Sequence, residues 1–279
     1  MSSNPYIPFS AVIKDLRQET DGARPIKTFT VEFKDLKTWD RFSFRPGQCA
    51  MVGIPGVGES MISICSSPTQ TGYLQFSIMQ MGKVTTALHE LEIGDDITVR
   101  GPYGQPFPLE QWKDKKILTI GGGIGQAPLR PIINYVLDNR NDYASLNILY
   151  GARSPKDLVF LHELKGFAES NTAKVHLTVD REAPGWNDNV GFVPQYLLDL
   201  KPSPENTIAV TCGPPIMIKY VLQNLVDLGF TDDQIYTTLE NRMKCGIGKC
   251  GKCNVGSVYV CKDGPVFSYA QLKKLPADY

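Results

Sequence analysis

Four cysteines fall within seventeen residues near the C-terminus, in the run Cys245-Gly-Ile-Gly-Lys-Cys250-Gly-Lys-Cys253-Asn-Val-Gly-Ser-Val-Tyr-Val-Cys261. The spacing C-x4-C-x2-C is the plant-type arrangement for a [2Fe–2S] cluster, whose fourth thiolate arrives from further along the chain. Here it follows after seven intervening residues. Gly246, Gly248 and Gly251 allow positive φ, so the backbone can wrap a small inorganic core. Such a loop also aims N–H groups at the sulfides, which eases the negative charge. A structural zinc site and disulfides are the competing readings. Zinc sites favour C-x2-C pairs set further apart. Cys49, Cys65 and Cys212 lie far apart in sequence, as free thiols of a reducing compartment do. Cys245, Cys250, Cys253 and Cys261 are therefore expected to ligate iron, and the chain to handle single electrons.

Lys+Arg and Asp+Glu both number 29 in 279 residues. A formal charge of zero leaves no electrostatic footprint for nucleic acid or an anionic membrane. The start, Met1-Ser-Ser-Asn-Pro5, has no basic-plus-apolar signal, and no apolar run reaches bilayer length. The expectation is a cytoplasmic chain with no transmembrane segment. Its length suits two domains and a small appendage.

Residues 5–108 are rich in strand-length runs separated by Gly and Pro: Thr28–Phe33, Gln48–Ile54, Met61–Ile64, Leu74–Met79 and Asp96–Arg100. This pattern suggests a small antiparallel barrel, interrupted by one helix near Thr85–Leu91. Gly101-Pro-Tyr-Gly-Gln-Pro-Phe-Pro108 reads as a proline-rich linker. Strands and helices then alternate over 112–239, the signature of a parallel sheet with crossover helices. Expected strands are Lys116–Ile120, Leu146–Tyr150, Lys174–Val179, Thr207–Thr211 and Gln234–Leu239. Expected helices run to about Leu137, over Asp157–Ala168 and over Ile216–Leu228. Segment 240–279 is too small to fold alone and would depend on its metal and its neighbours. The fold class is thus β plus α/β: an antiparallel barrel, a Rossmann-like parallel-sheet domain and a small C-terminal [2Fe–2S] segment.

Gly121-Gly-Gly-Ile-Gly125-Gln-Ala127-Pro128 joins a strand to a helix, where backbone N–H groups and the helix dipole meet a phosphate. It departs from G-x-G-x-x-G, and a glycine turn after a strand can also be purely structural. Cys212-Gly-Pro-Pro215 follows a strand at the carboxyl edge of the sheet, where ligands bind. A lone Cys there can equally be buried filler. His89, His162 and His176 are scattered without metal spacing and are expected to be structural or surface residues.

Taken in order, these motifs resemble the ferredoxin–NADP reductase superfamily. The nearest resemblance is to the group formed by the electron-transfer subunit of anaerobic sulfite reductase and the gamma subunit of sulfhydrogenase. The electron-transfer subunit of dihydroorotate dehydrogenase is a cousin. The resemblance rests on Gly58-Glu-Ser-Met-Ile-Ser-Ile-Cys-Ser66, Gly82-Lys-Val-Thr85, Gly121–Pro128, Gly213-Pro-Pro-Ile-Met217, Met243–Cys253 and Val260-Cys-Lys-Asp-Gly-Pro-Val-Phe267. It covers nearly the whole chain. It implies FAD on the barrel, with Ile62, Ser63 and Ile64 along the flavin and Ser63 near its N5. The phosphates of FAD would lean on Gly82, Lys83, Val84 and Thr85. It further implies a nicotinamide nucleotide held by Gly121, Gly122, Gly123, Gly125, Ala127, Pro128, Gly213 and Pro214, with Cys212 bordering the nicotinamide. In the wider superfamily the flavin motif reads Arg-x-Tyr/Phe-Ser; here it is Ser60-Met61-Ile62-Ser63. The arginine that holds the FAD pyrophosphate is missing, as it commonly is in the closer group. Asp180, after the strand Lys174–Val179, favours NADH over NADPH, because a carboxylate accepts from a ribose 2′-OH and repels a 2′-phosphate. Arg153 and Arg181 lie at neighbouring strand ends and could instead clamp that phosphate.

The implied function is an NAD(P)H-dependent flavin and iron–sulfur electron-transfer subunit. It would serve other redox subunits such as a hydrogenase or a sulfite- or heterodisulfide-reductase-like partner. The lost arginine leaves one alternative, a non-enzymatic adaptor with a decayed flavin site that carries a cluster or zinc.

Overall fold

The structure, a computed structural model, describes residues 4–276; Met1–Ser3 and the last three residues of the C-terminal segment lie outside it. The chain divides into two compact units. One runs to Phe107 and takes in Leu239–Val266; the other comprises Pro108–Thr238 and Phe267–Lys274.

In the first unit six antiparallel strands follow the spatial order β4-β3-β6-β1-β2-β5. They are β1 (Phe9–Thr20), β2 (Ile26–Phe33), β3 (Cys49–Ile54), β4 (Gly58–Ser63), β5 (Leu74–Met79) and β6 (Asp96–Tyr103). The Cys65 N–H donates to the Gln75 carbonyl at 2.9 Å, linking the end of β4 to β5. Alternate residues such as Ile13, Phe29, Val31, Ala50, Val52 and Val99 point into one core. Helix α1 (Lys83–His89) plugs it with the fully buried Leu88. The longest strand, β1, has no clean alternation in sequence. Register shifts between Ile13 and Asp15 and between Gln18 and Thr20 reset its inward face twice. The expected linker begins too early at Gly101. Strand β6 continues to Tyr103, which pairs with Cys49 beyond a register shift, and irregular pairing is where a strand tolerates a proline such as Pro102.

The second unit is built on a sheet of order β10-β9-β8-β7-β11-β12-β15. Its strands are β7 (Lys116–Gly122), β8 (Ser145–Ala152), β9 (Lys174–Val179), β10 (Asn189–Val190), β11 (Thr207–Cys212), β12 (Ile235–Thr238) and β15 (Val266–Ser268). Pairings from β7 through β12 are parallel. From β7 the chain winds outward through β8 and β9, then returns to place β11 on the other side of β7. That reversal is the position at which open α/β sheets bind ligands. The helices that accompany the sheet are α2 (Gln126–Asp138), α3 (Leu161–Glu169), α4 (Val193–Leu200) and α5 (Pro215–Asp227). Helix α3 starts four residues later than the expected Asp157, because Pro155–Asp157 form a separate 3-10 turn and Phe160 is left-handed at φ 59. Strands β10 and β15 and helix α4 are additions to the expected set. Among the described residues no helix is long and apolar enough to cross a membrane.

Candidate functional site

The thiolate loop leaves Leu239 and folds back through a two-stranded ribbon, β13 (Asn254–Val255) and β14 (Val258–Tyr259), into a single helical turn, α6 (Val260–Asp263). Gly246, Gly248 and Gly251 all adopt positive φ, between 72° and 79°. The left-handed turns aim backbone donors inward. Ile247, Lys249 and Cys250 N–H donate to Cys245 Sγ at 3.4, 3.3 and 3.5 Å. The Gly248 N–H reaches Cys261 Sγ at 3.2 Å, and the Cys261 N–H reaches Cys253 Sγ at 3.5 Å. The sulfurs neighbour one another in two pairs, Cys250 with Cys245 and Cys253 with Cys261.

Burial opposes ionisation of Cys245, yet the N–H donors outweigh it and bring its pKa down to about 6. Cys261 goes the other way: burial, the Cys253 sulfur and nearby negative charge push it up to about 12. No three His, Cys, Asp or Glu side chains converge on one point among the described residues. Paired sulfurs inside a ring of N–H donors suit a two-iron core, which takes two thiolates per iron. No disulfide joins the seven cysteines, and of the four in the loop only Cys250 is exposed.

This loop packs on the outer face of the barrel strands. Cys49, Met51 and Tyr103 form an apolar patch there, covered by Met61 and Ile247. The burial of β3 on both faces follows: Ala50 and Val52 face the core, Cys49 and Met51 the loop. Burial, then the neighbouring Cys261 sulfur, pushes the Cys49 thiol up to about 12, which makes it an unreactive packing group. Arg100, 4% exposed, donates to the Cys245 carbonyl at 2.8 Å and to the Tyr103 hydroxyl at 2.7 Å. Two further bonds, at 3.1 and 2.8 Å, run to the Glu59 carboxylate.

The expected flavin residues divide. Ile62 and Ser63 are half-buried on β4, and Ser63 pairs with Cys49. Ile64 is 1% exposed and sits in the barrel core, so its side chain is unavailable to a ligand. The beginning of α1 lies by β4, since a Cβ on Gly58 would meet Val84 Cγ2 at 3.2 Å. Thr85 Oγ1 accepts from the Met81 and Gly82 N–H groups at 2.9 Å each. Those donors are committed to the helix cap, while Gly82 and Lys83 stay exposed.

In the second unit the two loops that looked independent in sequence come together, because Gly121 and Cys212 are register partners on β7 and β11. A Cβ on Gly125 would lie 2.4 Å from the Cys212 carbonyl oxygen, and one on Gly122 would lie 2.3 Å from Met217 Sδ. Gly125 allows backbone-to-backbone contact with the Cys212 loop, and Gly122 makes room for the Met217 and Pro214 side chains. Ala127 and Pro128 turn into the buried face of α2, leaving Gly123 and Ile124 as the half-exposed part of the turn. Tyr150, fully buried, holds that turn: its hydroxyl donates to the Gly123 carbonyl at 3.0 Å and accepts from the Val159 N–H at 2.9 Å. Cys212 Sγ accepts from Thr238 Oγ1 at 3.0 Å. Asp180 is half-buried; burial raises its pKa against the opposing pull of Arg153 and Arg181.

Arg100, Tyr103, Tyr150 and Thr238 are absent from the candidate site residues picked out by sequence, and Glu59 entered only as part of the Gly58–Ser66 motif. Tyr150 carried a usable signal, its place at the carboxyl end of a parallel strand. Arg100 carried none, since an arginine on the outward side of a strand reads as solvated.

Three family models match. Residues 16–107 match an oxidoreductase FAD-binding domain, 119–223 an oxidoreductase NAD-binding domain, and 240–273 the iron–sulfur cluster binding domain of dihydroorotate dehydrogenase B. Sulfhydrogenase 1 subunit gamma of Pyrococcus furiosus is 43% identical over 257 residues, covering 90% of this chain and 88% of that protein. A probable dihydroorotate dehydrogenase B (NAD(+)) electron transfer subunit of Methanocaldococcus jannaschii is 34% identical, over 94% of this chain and 91% of its own length. Among solved structures, a chain of the NADH-dependent reduced ferredoxin-NADP oxidoreductase superposes with a TM-score of 0.76 at 22% identity. It covers 100% of this chain and 92% of that one, a likeness of fold.

Proposed function

This chain belongs to the family of FAD- and NAD-binding electron-transfer subunits with a C-terminal iron–sulfur domain that includes sulfhydrogenase subunit gamma, and on that premise we propose how its residues divide the work. Bound FAD would exchange hydride with a nicotinamide and release electrons singly, and a [2Fe–2S] cluster would relay them to a partner subunit. The observation that carries this reading is the packing of a cysteine loop, its backbone N–H groups aimed at the sulfurs of Cys245, Cys253 and Cys261, on the outer face of the same barrel that bears the flavin candidates.

Cys245, Cys250, Cys253 and Cys261 would hold the cluster, which would supply one-electron transfer. Cys250, the exposed ligand, marks the edge that meets the partner, another redox subunit. Ile62 and Ser63 line the flavin, and exposed Lys83 supplies the cation missing from Ser60-Met61-Ile62-Ser63. The half-exposed turn at Gly123, with Gly213 and Pro214 beside it, receives the nucleotide pyrophosphate. Cys212, oriented by Thr238, borders the nicotinamide. Asp180 accepts from the adenosine ribose and selects NADH.

Anaerobic purification of the full chain tests the reading. Flavin absorption, iron–sulfur absorption and NADH-dependent dye reduction are expected together, with kcat/KM higher for NADH than for NADPH. A colourless, zinc-containing protein would instead support the adaptor. A tenfold preference for NADPH would assign the 2′-phosphate to Arg153 and Arg181 and overturn the role given to Asp180.

A further inference from the structure

Arg100 is a charged residue sealed beneath the thiolate loop, and neither the flavin motif nor the cysteine motif accounts for it. It stands on the outer side of β6, and its side chain is 5% exposed. One terminal nitrogen donates to the Cys245 carbonyl, the Tyr103 hydroxyl and, at 3.4 Å, the Pro5 carbonyl. The remaining nitrogens grip Glu59 in a two-pronged pair on β4, the strand that ends at Ser63. Its guanidinium carbon lies 5.4 Å from the Tyr103 ring centroid. A guanidinium is charged at every pH a protein survives, and a charge in a low-dielectric setting acts more strongly than one in water.

We propose that Arg100 is a positioning residue that docks the first ligand of the iron–sulfur loop on the flavin barrel and, through its buried positive charge, sets the reduction potential of the cluster. The inference rests on the reading of the four cysteines as cluster ligands. Reduction adds one negative charge to the cluster, so a fixed cation held against Cys245 favours the reduced form. Net charge and hydrogen bonding are the levers by which proteins tune such potentials. Glu59 opposes it from the far side of the guanidinium. Its side chain is 30% exposed, so solvent screens its charge more than that of Arg100. The cation therefore wins. The two residues act with opposite signs, which a purely mechanical tether cannot reproduce.

The test is an EPR-monitored redox titration of the cluster in the full-length chain, with FAD and iron content measured in parallel. Arg100→Gln is expected to lower the equilibrium constant for one-electron reduction at least tenfold, a 59 mV fall for a one-electron couple. Arg100→Lys should recover at least half of that shift. Glu59→Gln, which leaves the bond to Cys245 in place, should move the potential upward. If Arg100→Gln assembles no cluster, the signs in Glu59→Gln and Arg100→Lys decide. A loaded Arg100→Gln cluster within threefold of the wild-type equilibrium, or a downward shift in Glu59→Gln, overturns the proposal. A wild-type protein without any cluster signal overturns the ligand reading itself, and this inference with it.

Discussion

Replacing Gly246 by alanine measures how hard the thiolate loop is pressed on the barrel. A methyl group there would sit 2.8 Å from Cδ2 and Cε2 of Tyr103. The ring cannot swing aside cheaply, because its hydroxyl is held by Arg100 at 2.7 Å and donates to the Pro5 carbonyl at 3.2 Å. Gly246 also has φ +79, a left-handed backbone that costs other residues about 1–2 kcal/mol. Overfilling a packed contact adds about 1–3 kcal/mol, for a combined cost of about 2–5 kcal/mol. Gly251 is the control. Its φ is +73, but an added Cβ meets nothing within 4 Å, so Gly251→Ala carries only the backbone cost. The difference between the variants, about 1–3 kcal/mol, isolates the steric contact with Tyr103. The assay is urea denaturation of the cluster-loaded chain, followed by loss of iron–sulfur absorption and separately by flavin release. With urea slopes of about 1–3 kcal/mol per molar, the iron–sulfur midpoint of Gly246→Ala should fall roughly 1 M below that of Gly251→Ala. Coincident midpoints would refute the idea that the loop is docked at Tyr103.

Cys250→Ser should abolish the cluster signal while NADH-dependent dye reduction survives, because an alkoxide is a poor substitute for a soft thiolate. An intact cluster in the Cys250→Ser, Cys253→Ser double variant would contradict the ligand assignment. Gly123→Val should raise the KM for the nicotinamide nucleotide with FAD content unchanged: an added Cβ there meets nothing within 4 Å, while the φ of +55 adds a local backbone cost of about 1–2 kcal/mol at the turn; loss of FAD with an unaltered KM would mean that the two nucleotide sites are exchanged. His89 and His176 both have pKa values lowered by burial, with Lys27 and Lys174 adding to the effect and the Ile78 carbonyl opposing it at His89. The unfolded chain therefore binds more protons below its ordinary histidine range, and stability is full above about pH 6.5 and falls as pH drops through the lowered folded values. The urea midpoint should decrease between about pH 7.5 and 5.5, and His89→Gln should flatten that decrease; an identical slope in the variant would exclude His89 as a contributor.

Much of this molecule is written in local chemistry. The thiol spacing and its glycines need no distant residue to specify a metal-binding loop, because ligand spacing and positive φ are properties of a dozen consecutive residues. The alternation in β2 and β5, and the glycine turn after β7, are equally local. What the sequence left open are contacts that cross tens of residues. Strand β1 hid because its bulges break the period that marks a strand. Gly121–Gly125 and Cys212–Pro214 became one surface only when β11 returned beside β7, an adjacency set by crossover topology. Arg100 and Glu59 read as ordinary solvated charges until the loop at Cys245 closed over the outer face of β3 and β6. Hydrophobic periodicity records which face of a strand meets its own sheet. It records nothing about a segment 145 residues away that covers the other face, so the cysteine motif was legible and the charge beside it was not.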